Sequence, residues 1–513
     1  MNNSIAVIRS LVIYGVCLPL AIYLGYLLAT PENRDSLIFA GAILGVLLIP
    51  IVLNWHHPLL VVSWNASAVV FFSPGQPPLW LAMAAAAFGA AIFRRALNRG
   101  NKFLPAWSVT WPLLFILVVV MATAKMTGGI SMRLGGGDSY GGKRYFFIVG
   151  AVIGFFALIS RETPLKLARR YVGYFFLSGM TTVISILVVF VPSWLYWIFL
   201  IFPADMYGVQ TLMSGASAFS GDSLTRLGGL GIAGQAIIYV LLAFFGIRQL
   251  LTFRRTIWIV VMLLAFLVSL YAGFRSSILQ LVGVFALVFW LEGLVRTRWL
   301  PIFGALAIAV SLAVLPFVQD LPKSVQRSLS ILPIKIDPVA AADAQYSTEW
   351  RLRMWRQMWP EVPNYLLLGK GYSINSRDLE FAQQATQWGG DNVEIALLAG
   401  DYHSGPLSVL IPFGLAGAVG FLWFLAAAIR ALHRNRRYGD PRLQSFNNLL
   451  FACFIVRAVF FFGIYGSLYN DLFFFTGIVG LSISLNGGIR APAVATQTAH
   501  VPAARLRQPR AAH

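Results

Sequence analysis

Long apolar runs are the feature that most constrains how this chain folds. A bilayer core is about 30 Å thick, and a helix of about 20 apolar residues crosses it. The candidate spans lie near 11–29, 37–53, 58–72, 79–93, 107–124, 145–160, 174–201, 229–247, 254–274, 276–295, 300–318, 405–430, 446–466 and 470–486. The run at 58–72 is short, and the run at 174–201 contains Pro192, which indicates a kinked or interfacial end. The sequence therefore predicts an all-α, polytopic transmembrane helix bundle of about 12–14 spans.

Composition agrees with a membrane protein and argues against a nucleic-acid-binding role. Of the 513 residues, 58% are hydrophobic and 11% are charged, whereas soluble domains carry about a quarter charged residues. The net charge of +20 comes from short Lys and Arg clusters between apolar runs rather than from one basic face. Cys17 and Cys453 lie inside apolar runs and offer neither a disulfide framework nor metal-ligand spacing. We expect a lipid bilayer around the chain, no nucleic-acid partner, no metal and no cofactor.

The basic residues also predict the orientation of the bundle. With the N-terminus in the cytoplasm, the cytoplasmic segments hold 23 Lys and Arg residues and the opposite short loops hold seven. Positive residues accumulate in cytoplasmic loops, so both termini are expected there. The first run, 11–29, ends without a convincing small-residue cleavage site, and we expect it to remain as a helix.

One long segment between two late spans divides the chain into regions. Residues 319–404 form an expected non-cytoplasmic loop of 86 residues, mixed in charge. Within it, "TEWRLRMWRQMWPEV" repeats apolar residues at helical spacing, with Leu352, Trp355, Met358 and Trp359 along one stripe. That pattern predicts an amphipathic helix at or over the membrane. The regions are N-terminal membrane helices 1–203, core helices with arginine sites 204–318, the loop 319–404, C-terminal helices 405–486 and a disordered basic tail 487–513.

Two arginines stand where a non-cytoplasmic loop meets the start of a span. Arg226 lies in "GDSLTRLGGLGIAGQ" and Arg275 in "LYAGFRSSILQL". The N-terminal end of a helix favours an anion, and a guanidinium binds phosphate oxygens bidentately. Both arginines are therefore candidate phosphate ligands, although each could instead only extend to the interface or bind a lipid headgroup.

Three further ionisable residues lie at or within the apolar runs. Arg457 falls mid-membrane in "CFIVRAVFFF", where it needs a partner, and Asp471 is the nearest acidic residue, so a structural ion pair is predicted. His403 precedes the helix start "SGP" at a membrane edge, and an imidazole accepts a proton near neutral pH. His403 is thus a candidate general base, with a structural hydrogen-bonding role as the alternative. The pair His56 and His57 falls on the predicted cytoplasmic side and is interpreted as interfacial.

Several known catalytic patterns are missing from the sequence. It contains no HExxH motif, no Walker loop and no GxSxG elbow. The glycines of "TGGISMRLGGGDSYGGKR" at 127–144 lack the strand and helix context of a phosphate-binding loop. We interpret that stretch as a flexible non-cytoplasmic loop.

Taken in order, four segments resemble the O-antigen ligase and O-antigen polymerase family. They are "TRLGGLGIAG", "GFRSSIL", "EWRLRMWRQMWPEVPNYLLLGKGY" with its terminal Gly-x-Gly, and "DYHSGPLSVLIPFGLAGAVGFL", together spanning about 226–425. The chain differs from the family pattern in two positions, where Ser404 replaces the usual Asn and Phe274 the usual Ser or Gly.

The resemblance implies a metal-independent membrane glycosyltransferase of the bacterial inner membrane, with a periplasmic active site. Its donor would be a glycan on undecaprenyl pyrophosphate, and its acceptor a hydroxyl of a glycan or lipid. Arg226 and Arg275 would bind the pyrophosphate, His403 would act as general base in an inverting transfer, and Arg351 and Arg353 are further candidates for substrate contact. The resemblance leaves ligase and polymerase both open. A lipid-linked oligosaccharide flippase is the alternative function, since a many-span protein with intramembrane arginines also suits that role.

Overall fold

A computed structural model describes residues 14–15, 18–23, 25–26, 34–73, 75–97, 103–128, 139–205, 226–375, 397 and 400–492. Nine of the nineteen residues of the first predicted span, 11–29, lie outside these residues. So do the central part of the glycine-rich stretch 127–144 and most of the tail predicted to be disordered.

The predicted all-α, polytopic architecture is confirmed. Seven helical segments of the described chain are long and apolar enough to cross a membrane, and two shorter apolar helices accompany them. The helices of the N-terminal half are α1 (Arg34–Ser63), α2 (Leu79–Leu97), α3 (Trp107–Met126), α4 (Lys143–Leu158), α5 (Leu165–Leu177), α6 (Thr182–Ile186) and α7 (Ile198–Ile201). The core and C-terminal helices are α8 (Gly228–Leu250), α9 (Thr256–Tyr271), α10 (Arg275–Leu291), α11 (Trp299–Val314), then α15 (Gly405–Tyr438), α16 (Gln444–Gly463) and α17 (Leu468–Asn486).

Three predicted spans differ from the structure. The runs at 37–53 and 58–72 were predicted as separate spans, but α1 continues without a break to Ser63, and residues 64–73 and 75–78 are not helical. The run at 174–201 is not one helix either. After α5 ends at Leu177, the chain continues as short 3₁₀ and α segments, with Pro192 extended before the 3₁₀ turn Ser193–Leu195. Proline lacks the N–H that a continuous helix needs, which explains part of that break.

Three α-helices and one strand lie among the described residues between α11 and α15. They are α12 (Lys323–Leu329), α13 (Pro338–Met358), α14 (Val362–Tyr365) and β2 (Ile374–Asn375), which pairs antiparallel with β1 (Ser139–Tyr140). The side chain of Asp337 accepts hydrogen bonds from the backbone N–H groups of Val339 and Ala340, at 2.8 and 3.3 Å, and so caps the start of α13.

The predicted amphipathic helix exists as α13, but its apolar stripe was partly wrong. Leu352 is 40% exposed and Trp359 is 52% exposed, whereas Trp355 is half-buried. The hydrophobic positions that α13 buries are Ala340, Ala344, Met354 and Met358. Small alanines allow the helix to approach its neighbours closely, a signal that a search for large apolar residues overlooks.

The bundle has two distinguishable ends. The rings of Phe147, near the start of α4, and Tyr469, near the start of α17, lie 6.3 Å apart. Leu158, at the end of α4, packs against Gly480 further along α17, so these helices run parallel. The N-terminal end of α17 also meets α15, where the Leu468 N–H donates to Ser408 Oγ at 3.0 Å. We call this end, which carries α12 and α13, the loop end, and the opposite one the far end.

A glycine pair joins the loop to a break in α15. Gly414 has φ 61° inside α15, after Pro412, and this non-helical backbone interrupts the intrahelical hydrogen bonds there. The loop replaces them, because the Gly371 N–H donates to Pro412 O at 3.0 Å and the Leu415 N–H donates to Leu366 O at 2.7 Å. Gly369 has φ 74°, and a Cβ there would lie 2.2 Å from Pro412 O. The Gly-x-Gly pattern is therefore required by close backbone contact.

Candidate functional site

An arginine-lined cleft of about 310 Å³ lies at the loop end, between the starts of α8 and α10 and the covering helix α13. Four arginines line it, which are Arg226, Arg275, Arg327 and Arg351. The other lining residues are Phe274, Ser276, Leu279, Ile331, Ser347, Thr348, Leu352, Trp355, Gly463 and Ile464. The cleft therefore has a positive centre and an apolar margin.

The turn before α10 positions Arg275. Gly273 adopts φ 77°, a left-handed conformation that glycine adopts without strain, and Phe274 follows in an extended conformation as the N-cap of α10. Arg275 then occupies the first helical position. Its Nη2 donates to Ala344 O at 2.8 Å and to Thr348 Oγ1 at 3.1 Å, both on α13. This arginine thus joins α10 to the covering helix.

Phe274, one of the departures from the family pattern, has a packing role. A Cβ placed on Gly228 would lie 3.6 Å from the Phe274 ring, so the ring covers the first turn of α8. The chain therefore uses an aromatic side chain where a small residue is usual, and it couples the starts of the two helices that carry Arg226 and Arg275.

Asp343 on α13 connects two of the cleft arginines. Its carboxylate accepts from Arg226 Nη2 at 2.9 and 3.0 Å and from Arg327 Nε. Arg327 is nearly buried and also donates to Gly273 O. Burial alone would raise the pKa of Asp343, but the hydrogen bond from Arg327 and the charges of both arginines lower it overall. These four arginines and the one carboxylate together carry a formal charge of +3.

Arg351 is the cleft arginine with the most hydrogen-bonding capacity left. Among the residues that the structure describes, its guanidinium has no hydrogen bond or ion pair, although it is half-buried. Burial, together with the charges of Arg327 and Arg226, lowers its pKa, while Tyr465 opposes this effect. A guanidinium stays protonated at neutral pH even so, and repulsion of this kind is relieved when an anion enters.

His403 lies beside the cleft rather than in its lining. Its ring is 5.0 Å from the ring of Trp350, on α13, and 5.1 Å from that of Tyr465, in the turn between α16 and α17. His403, which follows Tyr402, has a backbone φ of 45°. A positive φ is uncommon for residues other than glycine. Trp355 Nε1 donates to Tyr402 O at 3.1 Å, so α13 also fixes this segment.

The two ring nitrogens of His403 have different surroundings. Nε2 lies 3.8 Å from Asp401 Oδ2, too far for a hydrogen bond but close enough for an ion pair. Nδ1 is buried and has no hydrogen-bond partner among the described residues. Burial lowers the pKa of His403, Asp401 raises it and Arg351 lowers it, with a lowered value overall. The imidazole is therefore neutral at pH 7 and carries a lone pair for a proton.

The structure groups the predicted site residues unevenly. It brings Arg226, Arg275 and Arg351 into one cleft and puts His403 close enough to Arg351 for that charge to lower its pKa. Arg353, two residues along α13, is exposed and does not line the cleft.

The intramembrane arginine of α16 contacts an acidic residue of α17. Arg457 Nε donates to Asp471 Oδ1 at 2.6 Å, and Asp471 Oδ2 accepts from the Ser467 N–H at 2.7 Å. Asp471 is fully buried. Arg457 also borders a second cavity of about 430 Å³ between α8, α17 and the segment that follows α1.

The histidine pair interpreted as interfacial is buried instead. His56 is 3% exposed and His57 is 1% exposed, and His57 Nε2 lies 2.9 Å from Leu158 O at the far end. Both are therefore remote from the cleft, as expected, but they are packed inside the protein.

Three residues of the site escaped the sequence analysis. Arg327 and Asp343 come from a loop rich in charged residues, and nothing in their spacing marks them as partners. Asp401 could have been recognised from the sequence "DYH", in which it stands two residues before His403. Residues two apart in an extended segment point to the same side. Within the described part of the chain, no three His, Cys, Asp or Glu residues lie close enough to hold a metal ion.

Comparison with known families agrees with this part of the structure. Residues 260–422 match the model of the O-antigen ligase family, which confirms the resemblance found in the sequence. The matched stretch runs from α9 into α15 and includes Arg275, Arg327, Arg351 and His403, whereas Arg226 precedes it. No curated protein matches the chain.

Proposed function

From its O-antigen ligase domain at 260–422, we propose that this multi-pass membrane protein transfers a glycan from an undecaprenyl-pyrophosphate donor to an acceptor hydroxyl. The family supports glycosyl transfer, lipid-linked glycan substrates and a membrane setting in general terms. The observation that carries the finer proposal is the cleft with four arginines and one interacting carboxylate, next to a neutral histidine.

The cleft suits a pyrophosphate that becomes a leaving group. When the glycosidic C–O bond to the pyrophosphate breaks, the bonding electrons stay on the departing oxygen and its negative charge grows. Guanidinium groups already held in place stabilise that charge more in the transition state than in the ground state. Among the described residues, Arg351 and Arg275 are the cleft arginines that present donors without an acidic partner, so they are assigned the closest phosphate contacts.

Arg226 and Arg327 have a different role in this proposal. Both donate to Asp343, which lowers the net charge of the cleft and fixes α13 over the helix starts. They contribute a positive field and position the other two arginines. A cleft with four uncompensated guanidiniums would repel itself strongly before substrate arrives.

His403 is assigned as the general base. The acceptor hydroxyl oxygen attacks the anomeric carbon from the side opposite the pyrophosphate, a new C–O bond forms as the bond to the pyrophosphate breaks, and the hydroxyl proton passes to the imidazole of His403. Asp401 then faces the imidazolium at Nε2 and stabilises its charge. One displacement of this kind inverts the anomeric configuration. The proton later returns to solvent, and undecaprenyl pyrophosphate leaves along the membrane.

The apolar margin of the cleft suits a lipid-linked donor. Leu279, Ile331 and Leu352 line it. Ile331 is 44% exposed and Leu352 is 40% exposed. A polyprenyl chain that lies against these side chains keeps its pyrophosphate at headgroup depth, next to the arginines. We assign the loop end to the periplasm of a bacterial inner membrane and both termini to the cytoplasm, because the basic short loops lie at the far end.

Reconstituted liposomes test this function directly. Purified protein receives an undecaprenyl-pyrophosphate oligosaccharide and an acceptor on the same side of the membrane, and the product is analysed for new glycosidic linkages. A transferase forms them, whereas a flippase moves the donor across the bilayer and forms none. Linkage formation that needs no added energy source supports the proposal.

Two histidine variants assign the base. His403→Ala should abolish linkage formation while protein yield and thermal stability stay normal. His433→Ala, on the same helix α15 but at the far end, is the matched control and should transfer normally. Full activity of His403→Ala would remove the histidine from the mechanism, and the arginine cleft would then need another base.

A further inference from the structure

A second basic pocket lies at the far end of the bundle. It measures about 220 Å³, and its lining consists of His56, Ala91, Arg94, Arg95, Phe103, Ser160 and Arg161. Arg94 and Arg95 stand in the last turn of α2, and Ser160 and Arg161 follow the end of α4. Because these helix ends are opposite to the ends that meet the loop, the pocket is separated from the arginine cleft by the length of α4, about 24 Å at 1.5 Å per residue.

The charge of this far-end pocket is uncompensated. Three of its seven lining residues are arginines, and none of the described lining residues is acidic. Arg94 Nη2 donates to Asn54 Oδ1 at 3.4 Å, and the guanidinium of Arg95 lies 5.7 Å from the centre of the Phe103 ring. The nearest acidic residue in sequence, Glu162, packs its carboxylate against Gly487 at the end of α17. The pocket is therefore positively charged, and its arginines have hydrogen-bond donors available for a ligand.

His56 provides an independent observation that points to a ligand. It is 3% exposed, it lines the pocket, and its Nδ1 has no hydrogen-bond partner among the described residues. A buried polar atom normally has a partner, because its desolvation otherwise costs free energy. An N–H of the imidazole suits a phosphate oxygen in the same way as the neighbouring guanidiniums do.

Orientation of the chain in the membrane does not explain these features. Arginines that only set topology need to lie near the bilayer surface, and they need not share a cavity. Here they converge with a buried histidine around one cavity, as basic pockets for phosphate-bearing lipid headgroups do. We propose that the far-end pocket binds a phosphate group, either in the headgroup of an anionic lipid or as a free phosphate compound.

Binding by the detergent-solubilised full chain tests the proposal. Phosphatidylglycerol is titrated and counted as bound adducts by native mass spectrometry, with phosphatidylcholine as the headgroup control. Inorganic phosphate is added in a second arm, as competitor for the lipid and as ligand in thermal unfolding. The test variant is Arg94→Gln/Arg161→Gln. Its matched control is Lys166→Gln/Arg170→Gln, which removes two exposed positive charges of α5 near the same end.

The expected result is that phosphatidylglycerol binds better than phosphatidylcholine and that the test variant weakens this binding about 30-fold, whereas the control variant changes it little. If inorganic phosphate stabilises the wild type but not the test variant, and no lipid preference appears, the ligand is a free phosphate compound. Equal binding by test and control variants, or no response to either ligand, would overturn the proposal. Neither result bears on transfer at the loop end, so the two sites are tested separately.

Discussion

Replacing Asp401 by Asn should move the pH dependence of transfer to lower pH. Asp401 Oδ2 lies 3.8 Å from His403 Nε2, and its charge raises the pKa of His403 against the larger lowering by burial. At that distance the interaction is worth about 4 kcal/mol at an effective dielectric constant of 20 and about 1 kcal/mol in water. Both side chains keep about a quarter of their surface in solvent, so screening favours the lower figure.

One kcal/mol corresponds to a little under one pKa unit. If His403 is the base as proposed, transfer requires its neutral form, so the rate should rise with pH through the pKa of this group and then level off. In Asp401→Asn the midpoint of that rise should fall by about one pH unit. The plateau rate should fall as well, because a weaker base accepts the acceptor proton less readily and the imidazolium loses its stabilising neighbour.

Arg351 supplies the opposite perturbation. Its charge lowers the pKa of His403, so Arg351→Gln should move the midpoint to higher pH, and Arg351→Lys, which keeps the charge, should leave it nearly unchanged. Initial rates of glycan transfer in proteoliposomes, measured from about pH 5 to pH 9, provide the profiles. Midpoints that move in the same direction in Asp401→Asn and Arg351→Gln, or that do not move, would refute His403 as the titrating base.

Three other changes test the rest of the structure. Arg275→Lys keeps the charge but loses the planar guanidinium that donates to Ala344 and Thr348. Therefore kcat/KM should fall about tenfold or more at normal expression. Near-normal transfer would mean that Arg275 only extends to the membrane interface and does not bind substrate. Asp471→Asn leaves the largely buried guanidinium of Arg457 without its charged partner and should cost about 3 kcal/mol of stability, measured as a lower Tm. The double variant Arg457→Met/Asp471→Leu should recover most of that stability. In a variant without native cysteines, Lys335→Cys should react with an impermeant thiol reagent from the periplasm and Arg434→Cys should not, and the reverse pattern would invert the topology.

The membrane helices were largely predictable from the sequence because bilayer thickness imposes one strong constraint. Apolar length alone locates α3, α8 and α16 to within a few residues. Where an apolar run does not form one straight helix, its length alone does not predict the structure. The run at 174–201 is apolar throughout but breaks into short segments, since its backbone is shaped by Pro192 and by packing against other helices.

The site was predictable at the positions where a charge conflicts with its surroundings. Arg275 and His403 stand next to apolar runs. Burying an ionisable side chain there costs free energy, so both residues can be recognised from the sequence as functional candidates. Arg327 and Asp343 lie in a polar loop, where charges are unremarkable until folding brings α12 and α13 together. Their pairing depends on tertiary contacts between residues sixteen positions apart, on separate helices, which no local pattern encodes.

One helix couples the two halves of the proposed chemistry. On α13, Ala344, Thr348, Arg351 and Trp355 follow one another at intervals of four, three and four residues, so they share a face. The first two accept hydrogen bonds from Arg275, the third presents a free guanidinium to the cleft, and the fourth holds Tyr402 next to His403. Since α13 lies within the matched stretch 260–422, that stretch contains the proposed base and every arginine of the cleft except Arg226. Displacement of α13 should therefore disable leaving-group stabilisation and proton transfer together.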